Sequence, residues 1–227
     1  MRKTLLLLCI LFSINTFCQD AWHFYSKGND DLYAENYDDA IINYSKAIEK
    51  ESDFLNLSIF YVCRGNAKLK LKNFSGAIAD YTKSKAIYRN QDLQAMLLKN
   101  RAQAKMQVND YRGAIADYTE HIKSQNYAID VTARMNFNPE NDIGFQRTYS
   151  ISYLSRGVAR FQLKDFAGAI VDFNWALHFE PTFSNAFYNR GLANLALNKK
   201  QSACIDFSKA GELGYEGAYS VIGKYCQ

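Results

Sequence analysis

Three histidines, His23, His121 and His178, and five cysteines, Cys9, Cys18, Cys63, Cys204 and Cys226, are the side chains best suited to metal binding or nucleophilic work. The histidines lie far apart, without metal-ligand spacing. The cysteine spacings do not match a zinc site. No His-Glu-x-x-His run, phosphate-cradling glycine loop or nucleophile elbow occurs. The carboxylates are scattered over positions that a helical pattern places on outer faces. With no catalytic constellation, the expectation is a non-enzymatic chain with no metal and no cofactor.

A different kind of chemistry recurs. Arg64, Arg101, Arg156 and Arg190 are each followed sixteen residues later by an aspartate: Asp80, Asp117, Asp172 and Asp206. Where the arginine is replaced by Lys27, the aspartate is replaced as well, by Asn43. This joint loss points to an Arg–Asp bridge between helices, within one unit or to the next. Bidentate geometry would favour arginine over lysine. The alternative is a ladder of arginines facing a ligand.

The elements that carry these pairs are repeats. Five segments of 34 residues align without gaps: 21–54, 58–91, 95–128, 150–183 and 184–217. Position 8 is Gly28, Gly65, Ala102, Gly157 and Gly191, and position 20 is alanine throughout: Ala40, Ala77, Ala114, Ala169 and Ala203. Small residues at both places let two antiparallel helices approach closely. Position 24 is Tyr44, Tyr81, Tyr118, Phe173 and Phe207, one turn beyond the alanine on the same face, where a ring fills the space beside the crossing. Position 16 is Asn36, Asn73, Asp110 and Asp165, all good N-caps for the second helix. Lys199 breaks that rule in the fifth unit, whose turn should be held less firmly. Only two prolines, Pro139 and Pro181, interrupt the chain, which suits helices.

This pattern resembles the tetratricopeptide repeat (TPR). The resemblance implies an all-α fold: a right-handed α-solenoid of five helix-turn-helix repeats, closed by a C-terminal capping helix at 215–226. Stacking makes the core, because no single pair buries its apolar stripe alone. It also implies that the first helix of each pair lines a concave groove through positions 2, 5, 9, 12 and 13. Candidate groove residues are Trp22, Tyr25, Asn29 and Tyr33 in the first unit, Val62, Asn66 and Lys70 in the second, and Lys99 and Gln103 in the third. Unit four offers Ile151, Leu154, Val158 and Phe161. No carboxylate stands at these positions, so the groove should take an apolar or mildly acidic protein segment and disfavour a basic one. The expected role is a protein–protein interaction scaffold. Relatives that clamp the acidic tails of cytosolic chaperones carry Lys or Arg at positions where this chain has Tyr25, Met96 and Asn100, so that partner is not implied. Two alternatives stand beside it: a small-molecule site, such as for a sugar, lined by Trp22, Tyr25 and Tyr33, and an architectural subunit of an envelope complex.

Residues 1–18 have the form of a secretory signal peptide. Arg2 and Lys3 precede an apolar run from Leu5 to Phe12, and Thr16 and Cys18 are small residues suited to cleavage before Gln19. The run is short for a transmembrane helix. Lipidation of Cys18 would need a small residue before it, and Phe17 departs from that pattern. The expected location is periplasmic or extracellular, with 19–227 as the mature solenoid. Removing Arg2 and Lys3 from 27 basic residues leaves +2 against 23 acidic ones, no electrostatic case for nucleic acid.

Two features depart from the repeat. Residues 129–149 are an insertion between units three and four, in which the residues before Asn136 could lengthen the preceding helix and a turn-rich stretch from Asn136 to Gly144 is expected as a loop. It could fold back over the apolar residues of unit four, or a partner could cover them. Position 21 is isoleucine in four units and Cys204 in the fifth. Cys204 and Cys226 lie eleven residues either side of Tyr215. In a helix pair hinged there they come level, so an exported chain should join them in a disulfide, worth roughly 3 kcal/mol on the chain-entropy model. Two separate thiols are the alternative. Cys63 is expected as inert packing.

Overall fold

The computed structural model describes residues 20–87, 91–134 and 143–226. The leader at 1–18 and residues 135–142 of the insertion lie outside them. Eleven helices follow one another among the described residues, with no strand. They are α1 (residues 20–33), α2 (Tyr37–Lys50), α3 (Phe54–Lys70), α4 (Phe74–Ile87), α5 (Gln91–Gln107), α6 (Tyr111–Arg134), α7 (Ile143–Gln162), α8 (Phe166–Phe179), α9 (Ser184–Ala196), α10 (Lys200–Glu212) and α11 (Gly217–Tyr225). In chain order these are five helix-turn-helix pairs and a terminal helix. No described helix is long and apolar enough to cross a membrane.

The chain divides into two compact units at Val108–Asn109. In the first, α2 packs on α3, α3 on α4, and α4 on α5. In the second, α6 packs on α7, α7 on α8, α8 on α9, α9 on α10, and α10 on α11. Each unit is thus a short solenoid whose core lies between successive helices. The alanines of position 20 are fully buried in all five repeats, and so are Tyr44, Tyr81, Phe173 and Phe207. The glycines of position 8 sit under those rings. A Cβ on Gly65 would stand 2.8 Å from the Tyr81 ring, and one on Gly157 would stand 2.6 Å from that of Phe173.

Every repeat turns the same way between its helices. The residue at position 15 is left-handed each time: Glu35, Lys72, Asn109, Lys164 and Asn198, with φ between 59° and 63°. The following N–H then reaches back five residues, as from Asn73 to the Lys68 carbonyl (2.9 Å) and from Asp165 to that of Arg160 (2.9 Å). In the first, second, fourth and fifth repeats this closes the first helix with a Schellman-type bond. Asn73, Asp110 and Asp165 then cap the second helix, each accepting from the N–H three residues on, at Gly76, Gly113 and Gly168. Asn36 does not cap. The difference lies at position 19. The three working caps sit where a Cβ on that glycine would be, and the first repeat has Asp39 there.

Helix α6 runs on to Arg134, so the residues before Asn136 do lengthen it. Helix α7 starts at Ile143, so Ile143 and Gly144 are helix rather than loop. Glycine costs little in a first turn, where the backbone N–H groups have no intrahelical partner anyway. The apolar residues of unit four are covered in part by their own solenoid. Leu154, Val158 and Phe161 pack with Ile170 against Ala169, Phe173 and Ala193 of their own solenoid; Ile151 is 39% exposed.

Candidate functional site

The Arg–Asp pairs prove to be structural in three repeats. Arg64 donates from Nε and Nη2 to the two carboxylate oxygens of Asp80 (2.9 and 2.8 Å). Arg156 grips Asp172 in the same way (3.0 and 2.7 Å), and Arg190 grips Asp206. The aspartates are almost wholly buried. A residue at position 11 adds a second donor: Lys68 to Asp80 (2.7 Å), Arg160 to Asp172 (2.9 Å) and Asn194 to Asp206 (3.0 Å). The first repeat reverses the polarity, with Asn43 donating to Asp31 (2.6 Å). The remaining Nη1 of each arginine donates to the preceding repeat: Arg64 to Ser45, Arg101 to Thr82, Arg156 to Thr119 and Arg190 to Asn174. These guanidinium groups are engaged by the fold and are not a ladder facing a ligand.

A cleft of about 810 Å³ opens in the first unit, where α1, α3 and α5 approach the turns that follow α1 and α3. Its lining includes apolar and aromatic side chains, Leu32, Tyr33, Tyr37, Leu69 and Phe74. It also includes four amides, Asn66, Asn100, Gln103 and Gln107. Lys70, Lys72 and Glu35 supply charge. Tyr33 is 87% exposed and free to meet a guest. Asn66 is fixed from behind: its Oδ1 accepts from the Tyr81 hydroxyl (2.7 Å) and from Asn100 Nδ2 (3.0 Å). That leaves Nδ2 as the atom Asn66 offers a guest. Burial pushes the Tyr81 phenol far above its ordinary range, although the hydrogen bond with Asn100 pulls the other way. It therefore stays a donor at any physiological pH.

Of the nine candidate groove residues, Tyr33, Asn66, Lys70 and Gln103 line this cleft and five do not. Val62 is a correction: it is 1% exposed, packed with Tyr81, Leu97 and Leu98. Position 5 here points between repeats rather than toward a guest. Trp22 and Tyr25 meet edge to face (5.1 Å), and both pack on Phe60, Tyr25 stacked at 4.8 Å. Only Tyr33 of the three aromatics suggested for a sugar lines the cleft. Asn29 accepts from the Tyr44 hydroxyl (2.8 Å), as Asn66 does from Tyr81. Lys99 is half-buried on α5, away from the cleft lining. Glu35, Tyr37, Lys72, Phe74 and Asn100 line the cleft without having been expected there. The first four stand at positions 15 and 17, the turn residue and the first residue of the second helix, and their recurrence was the available signal. Cys63 is half-buried, and burial raises its thiol above the ordinary range. Cys204 and Cys226 form a disulfide that ties α10 to the end of α11.

No protein-family model matches the chain, and no curated protein does. Solved structures do. The crystal structure of MamA superposes with a TM-score of 0.70 at 17% identity, over 88% of this chain and 95% of that one. MamA from Desulfovibrio magneticus RS-1 gives 0.66 at 15% identity, over 86% and 94%. YrrB, described as a TPR protein with an unusual peptide-binding site, gives 0.64 at 16% identity, over 94% and 96%. At such identities the likeness is one of fold, and it agrees with the 34-residue period, the buried alanines and the paired helices. The fold of this chain is that of the tetratricopeptide-repeat proteins.

Proposed function

We propose that the chain is a non-catalytic scaffold that holds an extended segment of another protein in the cleft of its first unit. The cleft itself carries this reading. Three successive repeats bring the exposed Tyr33, the half-buried Tyr37 and Phe74, four amides and two lysines against one glutamate into a single opening. Tyr33, Tyr37 and Phe74 would receive an apolar or aromatic side chain. Asn66 and Gln103 would hydrogen-bond the guest's backbone, and Lys70 and Lys72 would attract a carboxylate. The peptide-binding site named for YrrB supports a peptide guest on this fold. The leader-like residues 1–18 support work outside the cytoplasm, in the envelope or beyond it.

The test is affinity measured by fluorescence anisotropy against peptide libraries that differ in charge and aromatic content. Acidic peptides bearing an aromatic residue should bind best. A Tyr33→Ala, Lys70→Glu double variant should weaken them at least tenfold with an unchanged melting temperature, since both side chains are exposed. Equal affinity in the variant, or a preference for basic peptides, would remove the cleft from consideration.

A further inference from the structure

Position 21 is the apolar joint between consecutive repeats. Ile41 packs on the cluster of Ala40, Tyr44 and Ala67, Ile78 on the one that includes Tyr81, Leu97 and Leu98, and Ile170 on that of Ala169, Phe173 and Ala193, each drawn from two consecutive repeats. In α10 the same position is Cys204, and its partner is Cys226 just beyond α11. A covalent bond stands where the other repeats have a packed isoleucine. Packing on α10, with Val221 and Ile222 half-buried, also holds α11. The helix has nine residues, and Ala218 is the one that is fully buried. Helices this short do not persist alone in water. The Tyr219 hydroxyl donates to the Gly211 carbonyl (3.1 Å), though Tyr219 is 63% exposed. Tyr215, in the preceding turn, stacks on Tyr188 at 4.4 Å.

We infer that the Cys204–Cys226 bond is a redox latch on the terminal helix, which is docked when the bond is present and released by a dithiol. One thiolate of the dithiol attacks a sulfur of the pair, forming a mixed disulfide and freeing one cysteine thiol. Its second thiol then closes the reductant's own disulfide and frees the other cysteine. Two electrons pass from the dithiol to the protein, and a disulfide oxidant reverses the step. Release uncovers the face of α10 on which α11 sits, so the redox state decides whether the array ends in a closed or an open surface.

Hydrogen exchange followed by mass spectrometry on the full chain tests this, before and after dithiothreitol and again after reoxidation with oxidised glutathione. The amides of 217–225 should exchange at least tenfold faster on reduction and recover on reoxidation, with α7 to α9 unchanged. A Cys204→Ser, Cys226→Ser variant should match the reduced protein under all conditions. Unchanged protection of 217–225 in either reduced protein or variant would mean that packing alone holds the helix. Equal loosening of α7 to α9 would mean that the bond staples the whole unit. Either result overturns the latch.

Discussion

Asp172 shows what a single side chain carries here. It is fully buried, it receives two bonds from Arg156 and one from Arg160, and Arg156 also reaches Thr119. Removing the anion strands two guanidinium groups near the core. Asp172→Ala should therefore cost about 3–5 kcal/mol, read as a lower urea midpoint with an unchanged slope. Arg156→Lys should cost less, because the charge stays while the fork is lost. The Arg–Asp half of this arrangement was legible in sequence because both residues disappear together in the first repeat. The third contact was not. Its acceptors, Ser45, Thr82, Thr119 and Asn174, all stand at position 25, next to the ring of position 24. The change of type from Ser to Thr to Asn hid that recurrence.

Among the helices, the clearest lesson is the start of each second helix. Asn36 has the right type for a cap and the wrong neighbour. Asp39→Gly should clear the space that Gly76, Gly113 and Gly168 leave in the other repeats and let Asn36 accept its N–H. The gain should be at most about 0.5 kcal/mol, since a cap of this kind contributes roughly 1 kcal/mol and the new glycine gives back about 0.5 kcal/mol or more. Gly168→Ala should lose a similar amount by displacing Asp165. Paired thermal melts would show opposite shifts; two shifts of the same sign would disprove the steric account. The groove was only partly legible for a related reason. A fixed set of repeat positions describes where a helix face points on average. Val62 and Tyr25 depart from it because Tyr81, Leu97 and Phe60 pack against them. Tyr37, Phe74 and Lys72 entered the cleft because the turn, rather than the helix, forms part of its wall.

For the molecule as a whole, the buried phenols set the alkaline limit. Burial raises Tyr44, Tyr81, Tyr118 and Tyr149 above their ordinary range in the folded state. The unfolded chain sheds those protons first, near pH 10. Stability is therefore fully present below about pH 10 and is lost as pH rises toward the folded values. Phenolate absorbance at 295 nm should rise in step with the loss of helical circular dichroism. Phenolate formation in a chain that keeps its helices would contradict the assignment. The fold was legible because five copies repeat one size pattern, alanine against ring, and packing then leaves little choice. In the insertion the lengthening of α6 was legible, but the helical start of α7 at Ile143 and Gly144 was not, since a segment without copies has nothing to average over. The arginine bonds that reach backward give the array a grammar. A duplicated repeat would bring both halves of the joint, its own arginine for the predecessor and its own small acceptor for the successor. The repeat with Lys27 has only the second half, so it can be followed but is not equipped to follow. Lengthening the chain by copying an inner repeat should therefore succeed where moving the first one inward should leave a weak seam.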